Sequence, residues 1–326
     1  MTEGLQIVIT GAGGFIGSHL VEAALAAGHR VTALLRYGSQ GSIGNLARIG
    51  AQDPSRLRLV FGDVRDAGQM QALLDGADRL IHAAALIGIP YSYAAPESYF
   101  ATNVDGTLTL LQAARRAGLA RMVFVSTSEV YGSAQRPLIA EDHPLAAQSP
   151  YAASKIAAEA ACTAWANAFG LPVTVIRPFN TFGPGQSLRA VIPTILAQAL
   201  SGGPVQIGST WPERDFTFVT DTAEALLLAA THPGLGTGPY NLGTGRSVSI
   251  GAVIEAAASL VGHPLDVVTD PARIRPAASE VVRLTADNAR FRAATGWTPR
   301  IDLTEGLRRT LSALHSLPDP PQGYRT

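Results

Sequence analysis

Cysteine is almost absent: Cys162 is the only one in 326 residues, so no disulfide can close within the chain, which suits a reducing compartment. Charge is scarce and balanced. Lys plus Arg number 25 against 25 Asp plus Glu, and the basic cluster that nucleic-acid binding requires is missing. Long apolar runs are lacking too: Ala225 to Ala230 is bounded by Glu224 and by His232-Pro233, far short of the roughly 18 residues of a membrane span. The first ten residues carry neither a basic start nor a cleavage site for secretion. The seven histidines, at 19, 29, 82, 143, 232, 263 and 315, form no pair at metal-ligand spacing. These absences lead to the expectation of a cytoplasmic chain with small-molecule partners, no nucleic acid, no membrane and no metal.

What is present is material for a core. Hydrophobic residues make up 47% of the chain, enough to bury a sizeable interior without staples. Five short apolar runs, Ile7 to Ile9, Val31 to Leu35, Leu57 to Phe61, Met122 to Val125 and Val173 to Ile176, read as buried parallel strands. Between them lie stretches of helical spacing, among them Ile16, Leu20, Ala23, Ala27, and Leu108, Leu111, Ala114 closed by Gly118. The alternation predicts an α/β fold with a doubly wound parallel sheet. After Arg177-Pro178 the pattern turns rich in Gly and Pro, from Gly183-Pro184-Gly185 to Pro212, which predicts a second, smaller, loop-rich lobe. The helix Thr220 to Thr231 and a short Tyr240-Asn241-Leu242 strand are expected to return to the main sheet.

Thr10 closes the first strand and Gly11-Ala12-Gly13-Gly14-Phe15-Ile16-Gly17 opens a helix. Glycines at such a junction let the backbone turn sharply and approach a pyrophosphate, which the helix start then stabilises. Ile16 occupies the third glycine of the strict G-x-G-x-x-G pattern; the spacing that fits is Gly11, Gly14, Gly17. The second strand ends Leu34-Leu35-Arg36-Tyr37, without the acid that usually accepts the ribose 2′-hydroxyl of NAD. Arg36 suits a 2′-phosphate or the adenine face, so the cofactor reading is NADP or NAD, leaning to NADP. Asp63-Val64, after the third strand, is a candidate for the adenine edge.

Pro150 suits the first position of a helix, and four-residue spacing places Tyr151 and Lys155 on one face of it. A phenol is a weak base near neutrality; lowering its pKa by ~3 units takes ~4 kcal/mol, which one ammonium at about 4 Å supplies at an effective dielectric of about 20. The strand Val123-Phe124-Val125 ends in Ser126-Thr127-Ser128-Glu129, hydroxyls and a carboxylate at the expected active-site edge. There Thr127 is suited to hold a substrate oxygen and Glu129 to exchange a proton with carbon.

Taken with Tyr151-x-x-x-Lys155 and Ser126-Thr127, the glycine turn resembles the extended short-chain dehydrogenase/reductases that act on nucleotide sugars. Further matching stretches are His82-Ala83-Ala84-Ala85, Asn103-Val104-Asp105-Gly106-Thr107, Arg177-Pro178-Phe179-Asn180, Arg214-Asp215-Phe216 and Arg275-Pro276. Within that family Thr127 to Gly132 is similar to the sugar-nucleotide 4,6-dehydratases, of the GDP-mannose and N-acetylglucosamine types. The dTDP-glucose dehydratases carry Asp-Glu where Ser128-Glu129 stand, which leaves Glu129 itself or a water to protonate the departing hydroxyl.

The resemblance implies a Rossmann-type nucleotide-binding domain at residues 1–177 and 217–246 and a nucleotide-sugar-binding lobe at 178–216 and 247–326. It implies Thr127, Glu129, Tyr151 and Lys155 as catalytic residues. Cofactor contacts would come from Gly11, Gly14, Phe15, Ile16, Gly17, Arg36, Asp63, Val64, Ala83, Ala85, Ser126, Tyr151, Lys155 and Pro178. Substrate contacts would come from Thr127, Ser128, Asn180, Arg189, Arg214, Arg275 and Glu280, with the arginines suited to phosphate forks. The partner would be a nucleotide-diphosphate sugar and the assembly a homodimer. UDP-glucuronate decarboxylases and nucleotide-sugar 4-epimerases are the competing activities, and a catalytically silent NAD(P) sensor is the competing class.

Overall fold

A computed structural model describes residues 4–50, 52–274 and 281–316. Its centre is a seven-stranded sheet built from β1 (Gln6–Thr10), β2 (Arg30–Arg36), β3 (Leu57–Gly62), β4 (Arg79–His82), β5 (Arg121–Val125), β6 (Val173–Pro178) and the strand Pro239–Leu242. In space the order is Pro239–Leu242, β6, β5, β4, β1, β2, β3, and every pairing is parallel. The fold is the Rossmann-type α/β sheet that the strand and helix pattern predicted. β4 had no counterpart among the five expected runs; only Leu80 and Ile81 mark it as apolar.

Alternate residues of each strand feed opposite faces, as a period of two demands. Ile7, Ile9, Val31, Ala33, Ile81, Val123 and Ile176 join one core with Leu20 and Ala24 of the helix Phe15–Ala26 and Ala225, Leu226 and Ala229 of the helix Val219–Thr231. Val8, Leu34, Leu80, Met122, Phe124, Val173 and Val175 join the other, with residues of the helices Ala67–Leu74, Gly106–Ala117 and Pro150–Phe169. Each large side chain so buried contributes roughly 1.5–3 kcal/mol.

The helix Pro150–Phe169 starts where local chemistry dictates. Ser149 accepts a hydrogen bond from the Ala152 amide at 3.1 Å, Pro150 occupies the first turn, and Gly170 ends the helix at φ +68°.

Beyond β6 the chain is less loop-rich than its glycines and prolines imply. Asn180–Phe182 pairs with Phe216–Phe218, Val205–Ile207 with Val267–Thr269, and Glu213–Arg214 lies between Val248–Ser249 and Arg283–Leu284. Phe182, Ile195, Leu196, Phe218, Val253, Ile254 and Leu307 form a third core under the helices Val191–Ser201, Ile250–Val261 and Leu303–His315. Pro239–Leu242 then pairs with β6, the return expected for Tyr240 to Leu242. Among the described residues no helix is long and apolar enough to cross a membrane.

Candidate active site

The connections from β1 and β4 leave in opposite directions along the sheet, so a crevice opens at their carboxyl ends, where such sheets bind ligands. Gly11 stands there at φ +71°, and a Cβ on it would lie 2.7 Å from the Ala84 nitrogen. Only glycine allows the backbone after β1 to approach the backbone after β4 so closely. Gly14 caps the helix without a side-chain bond and donates its own N–H to Gly11 O at 3.0 Å. The first-turn amides beyond it are therefore open to an anion. Phe15 and Ile16 are half-buried against the third core. This cradle, which a side chain would fill, fits a dinucleotide pyrophosphate.

Two loops close over the turn that the sequence gave no sign of. The Asn45 amide donates to Gly13 O at 2.9 Å, and the Asn45 side chain donates to Gly185 O at 2.8 Å. His19 meets Pro184 O at 2.9 Å.

Arg36 is exposed at the end of β2, in register with Gly62. Asp63 follows Gly62, but its carboxylate is held by Arg65 Nη2 at 2.6 Å and Nε at 2.9 Å. That side-chain bond keeps the Asp63 carboxyl below its ordinary range, and the Asp63 side chain stays 43% exposed. Val64 is buried against Gly106, where an added Cβ would lie 2.6 Å from Val64 Cγ2. Ala83 and Ala85 are half-buried just past β4, and Pro178 is buried at the end of β6.

At the end of β5, Thr127 accepts a hydrogen bond from the Glu129 amide at 3.2 Å, capping the short 3₁₀ turn Ser128–Tyr131. The Thr127 hydroxyl also lies near enough to the Tyr151 phenol to act on it, so strand end and helix start meet at this pair. Burial pushes the phenol well above the usual tyrosine range; Thr127 opposes this, while the Glu129 carboxylate and Tyr99 add to it. Glu129 is half-buried and near enough to act on Tyr151 by its charge. The Tyr99 ring meets Tyr151 edge-on, centroids 6.2 Å apart at 76°.

Lys155 is buried, donates to Val125 O at 2.7 Å and sits 4.1 Å over the Phe124 ring. Burial lowers its pKa to about 8, with Glu159 opposing. The expected lowering of the phenol by Lys155 is not what acts here, because the ammonium is directed to the Val125 carbonyl. Ser126 also departs from expectation: its hydroxyl donates to Glu159, not to the crevice.

Asn103 and His82, quoted above only as parts of matching stretches, prove to be organising residues. Asn103 lies in a π-helical turn, Ala101–Asp105, a distortion frequent at functional sites. It accepts from the Leu86 amide at 2.9 Å and donates to Leu86 O at 3.0 Å and Ser154 Oγ at 2.9 Å, joining the segment after β4 to the helix of Tyr151. His82 is bonded to Thr10 at 2.8 Å and Thr107 at 3.1 Å. Burial, with Lys155 assisting, pushes it down to about 3.

On the substrate side, Ser128 is buried in its turn and Asn180 lies in register with Phe216. Arg214 is buried, with Nη1 donating to Glu213 O at 2.9 Å and Val281 O at 2.8 Å. Arg189 is exposed, and its charge acts on Tyr99. Arg275 and Glu280 lie outside the described residues. Among the described residues no group of three metal-ligating side chains occurs.

A parallel sheet with a glycine-rich turn at its crevice, facing a tyrosine, a lysine and a threonine, defines a nucleotide-dependent oxidoreductase-type fold. More narrowly, the chain belongs to the family whose model is described as GDP-mannose 4,6 dehydratase, which it matches over residues 8–310; these are extended short-chain dehydrogenase/reductases of the nucleotide-sugar dehydratase and epimerase type. It is 33% identical to a dTDP-glucose 4,6-dehydratase of Actinoplanes sp. over 94% of this chain and 97% of that one. It is 34% identical to a UDP-glucose 4-epimerase of Mycolicibacterium smegmatis, again over 94% and 97%. The solved structure of MoeE5 in complex with UDP-glucose and NAD superposes with a TM-score of 0.83 at 32% identity, covering 95% of this chain and 98% of the other.

Proposed function

We propose that this protein is a nucleotide-sugar 4,6-dehydratase, converting a UDP- or GDP-linked hexose or N-acetylhexosamine into its 4-keto-6-deoxy form with release of water. The observation that carries the reading is the meeting of Thr127, Glu129 and Tyr151 where β5 ends and the helix Pro150–Phe169 begins, a phenol and a carboxylate brought to one place. Tyr151 acts as its phenolate and takes the proton of the sugar 4-hydroxyl while Thr127 steadies that oxygen. With the cofactor bound, the Lys155 ammonium and the positive charge of the oxidised nicotinamide would offset the burial that disfavours this phenolate. The resulting 4-ketone acidifies the neighbouring C5–H, so that Glu129 can remove it as the C6 hydroxyl leaves as water. When bound, the nicotinamide supplies the hydride acceptor at the start and the hydride donor at the end, so no net oxidation occurs.

Gly11, Gly14, Phe15, Ile16 and Gly17 would hold the pyrophosphate, and Lys155 the nicotinamide ribose. Arg36, with Asp63 neutralised by Arg65, favours NADP; the complex of MoeE5 with NAD favours NAD. Asn180, Arg189 and Arg214 would address the sugar diphosphate from the lobe assigned to 178–216 and 247–326, while 1–177 and 217–246 carry the cofactor. The half-exposed rings of Phe100 and Phe169 on the helices Pro96–Phe100 and Pro150–Phe169 suit a homodimer. A cytoplasmic location agrees with the single, buried Cys162.

A 4-epimerase is the second reading, favoured by the similarity to the mycobacterial UDP-glucose 4-epimerase. NMR of products formed from a panel of UDP, GDP and dTDP sugars separates the two: a 6-deoxy-4-keto product supports dehydration, a C4 epimer overturns it. Glu129→Gln sharpens the test. In a dehydratase it should stop turnover after the first oxidation, leaving reduced cofactor and a 4-keto sugar that keeps its C6 hydroxyl; in an epimerase it should leave product formation within a few-fold of wild type.

A further inference from the structure

One turn beyond Lys155, Glu159 is buried and gathers groups from other elements. It accepts the Ser126 hydroxyl from the end of β5, and it takes Arg177 Nη2 at 2.6 Å and Nε at 3.0 and 3.2 Å from β6. Arg177 Nη1 donates to the Tyr131 hydroxyl at 2.8 Å, which donates to Asn241 Oδ1 at 2.6 Å in the strand Pro239–Leu242. The chain of polar groups thus crosses from β5 through the helix to β6 and the sheet edge. None of these groups has a part in the reaction steps described above. Burying both ions of such a pair costs free energy that a hydrophobic pair would not, so its placement beside the Tyr151 and Lys155 helix turns calls for an account other than stability.

We infer that Glu159 is a positioning residue: it is the anion that keeps Lys155 an ammonium during turnover and pins its helix to the catalytic strand end at Ser126. The inference rests on the Tyr151 and Lys155 chemistry proposed above.

The surroundings of Lys155 support it. From β4 it faces His82, which is uncharged near neutrality because burial pushes it down to about 3. From β5 it faces the Val125 carbonyl and the Phe124 ring. Its own helix supplies Tyr151, Cys162 and Glu159. Burial pushes the Cys162 thiol far up, so it is neutral. Among these, Glu159 is the charged partner of opposite sign, and it opposes the burial that lowers Lys155 to about 8. Glu159 in turn faces Ser126, Arg177, Lys155 and Tyr131, whose phenol burial raises to about 12; the Glu141 charge also acts on Tyr131, and its carboxylate accepts from the Asn241 amide at 2.8 Å. Arg177 stays fully charged, its burial outweighed by Glu159. Without the carboxylate, Lys155 would face its burial unopposed by that charge and would lose its proton at lower pH.

The test is the pH dependence of cofactor reduction on mixing holoenzyme with a nucleotide sugar, a half-reaction common to dehydratases, epimerases and decarboxylases. In Glu159→Gln, which keeps the shape and an acceptor for Arg177, the alkaline limb of the rate should move to lower pH by about one unit. In Glu159→Asp, which keeps the charge, it should move the same way by less. If Glu159→Gln fails to unfold cooperatively, Glu159→Asp decides alone. A uniform loss of rate with the limb unmoved, or a limb moved upward, overturns the inference, because a residue that only packs would act equally at every pH. A wild-type protein that reduces no cofactor with any sugar of the panel overturns the proposed function as well; an active wild type with an unmoved limb overturns this inference alone.

Discussion

A Cβ built on Gly17 would stand 2.1 Å from Gly11 O and 2.8 Å from Gly11 C, so the first helical turn and the turn before it touch through bare backbone. Gly17→Ala must therefore push the glycine turn out of shape. We expect a loss of about 1–3 kcal/mol in stability and a weaker NAD complex, read by thermal unfolding and by cofactor titration. An alanine variant with wild-type Tm and affinity would show that the close approach is dispensable.

Tyr151→Phe keeps the ring that meets Tyr99 and removes only the hydroxyl on which Thr127 acts. Turnover should fall by about 10²–10⁴-fold, with melting temperature and cofactor affinity close to wild type. Residual turnover within a few-fold of wild type would place the base elsewhere.

The Glu159 and Arg177 side chains are 7% and 5% exposed. Arg177→Met strands a carboxylate in the interior and should cost about 3–5 kcal/mol in urea unfolding. Pairing it with Glu159→Met should recover much of that loss, since no uncompensated charge is left. Losses that simply add would show that the two side chains do not act as a pair.

His82 titrates at about 3 when folded, against an ordinary value of 6.5. Between these values the unfolded chain binds a proton that the folded chain refuses, so stability is lost as pH falls from about 6.5 towards about 3. The slope from this residue approaches about 1.4 kcal/mol per pH unit within the window. His82→Asn should flatten the acid side of the stability profile; an unchanged slope would mean that other groups govern acid unfolding.

Much of the sheet was legible because buried strands are written as apolar runs, as in β1, β2, β5 and β6. β3 carries such a run too, but it is an edge strand and not the buried strand expected, with Arg58 and Leu59 exposed. β4 escaped because Arg79 and His82 flank only two apolar residues, and His82 is buried through hydroxyl partners distant in sequence. At the site, helical spacing correctly put Tyr151 and Lys155 on one helix. It could not show that the ammonium would turn to Val125 O, or that Ser126 would bond to Glu159. Those choices depend on partners from β5 and β6 that no local pattern brings together. The π-helical turn at Asn103 is likewise invisible to periodicity, since it adds its distortion inside an otherwise ordinary helical stretch.

The edge position of Pro239–Leu242 bears on how the chain is made. β6 is synthesised well before the segment that will cover its free side, and the whole of residues 179–238 must emerge from the ribosome first. During that interval β6 offers unpaired amides and carbonyls to any passing strand. Slowed translation after β6, or too little chaperone, should therefore divert nascent chains into aggregates even though the finished molecule hides that flank.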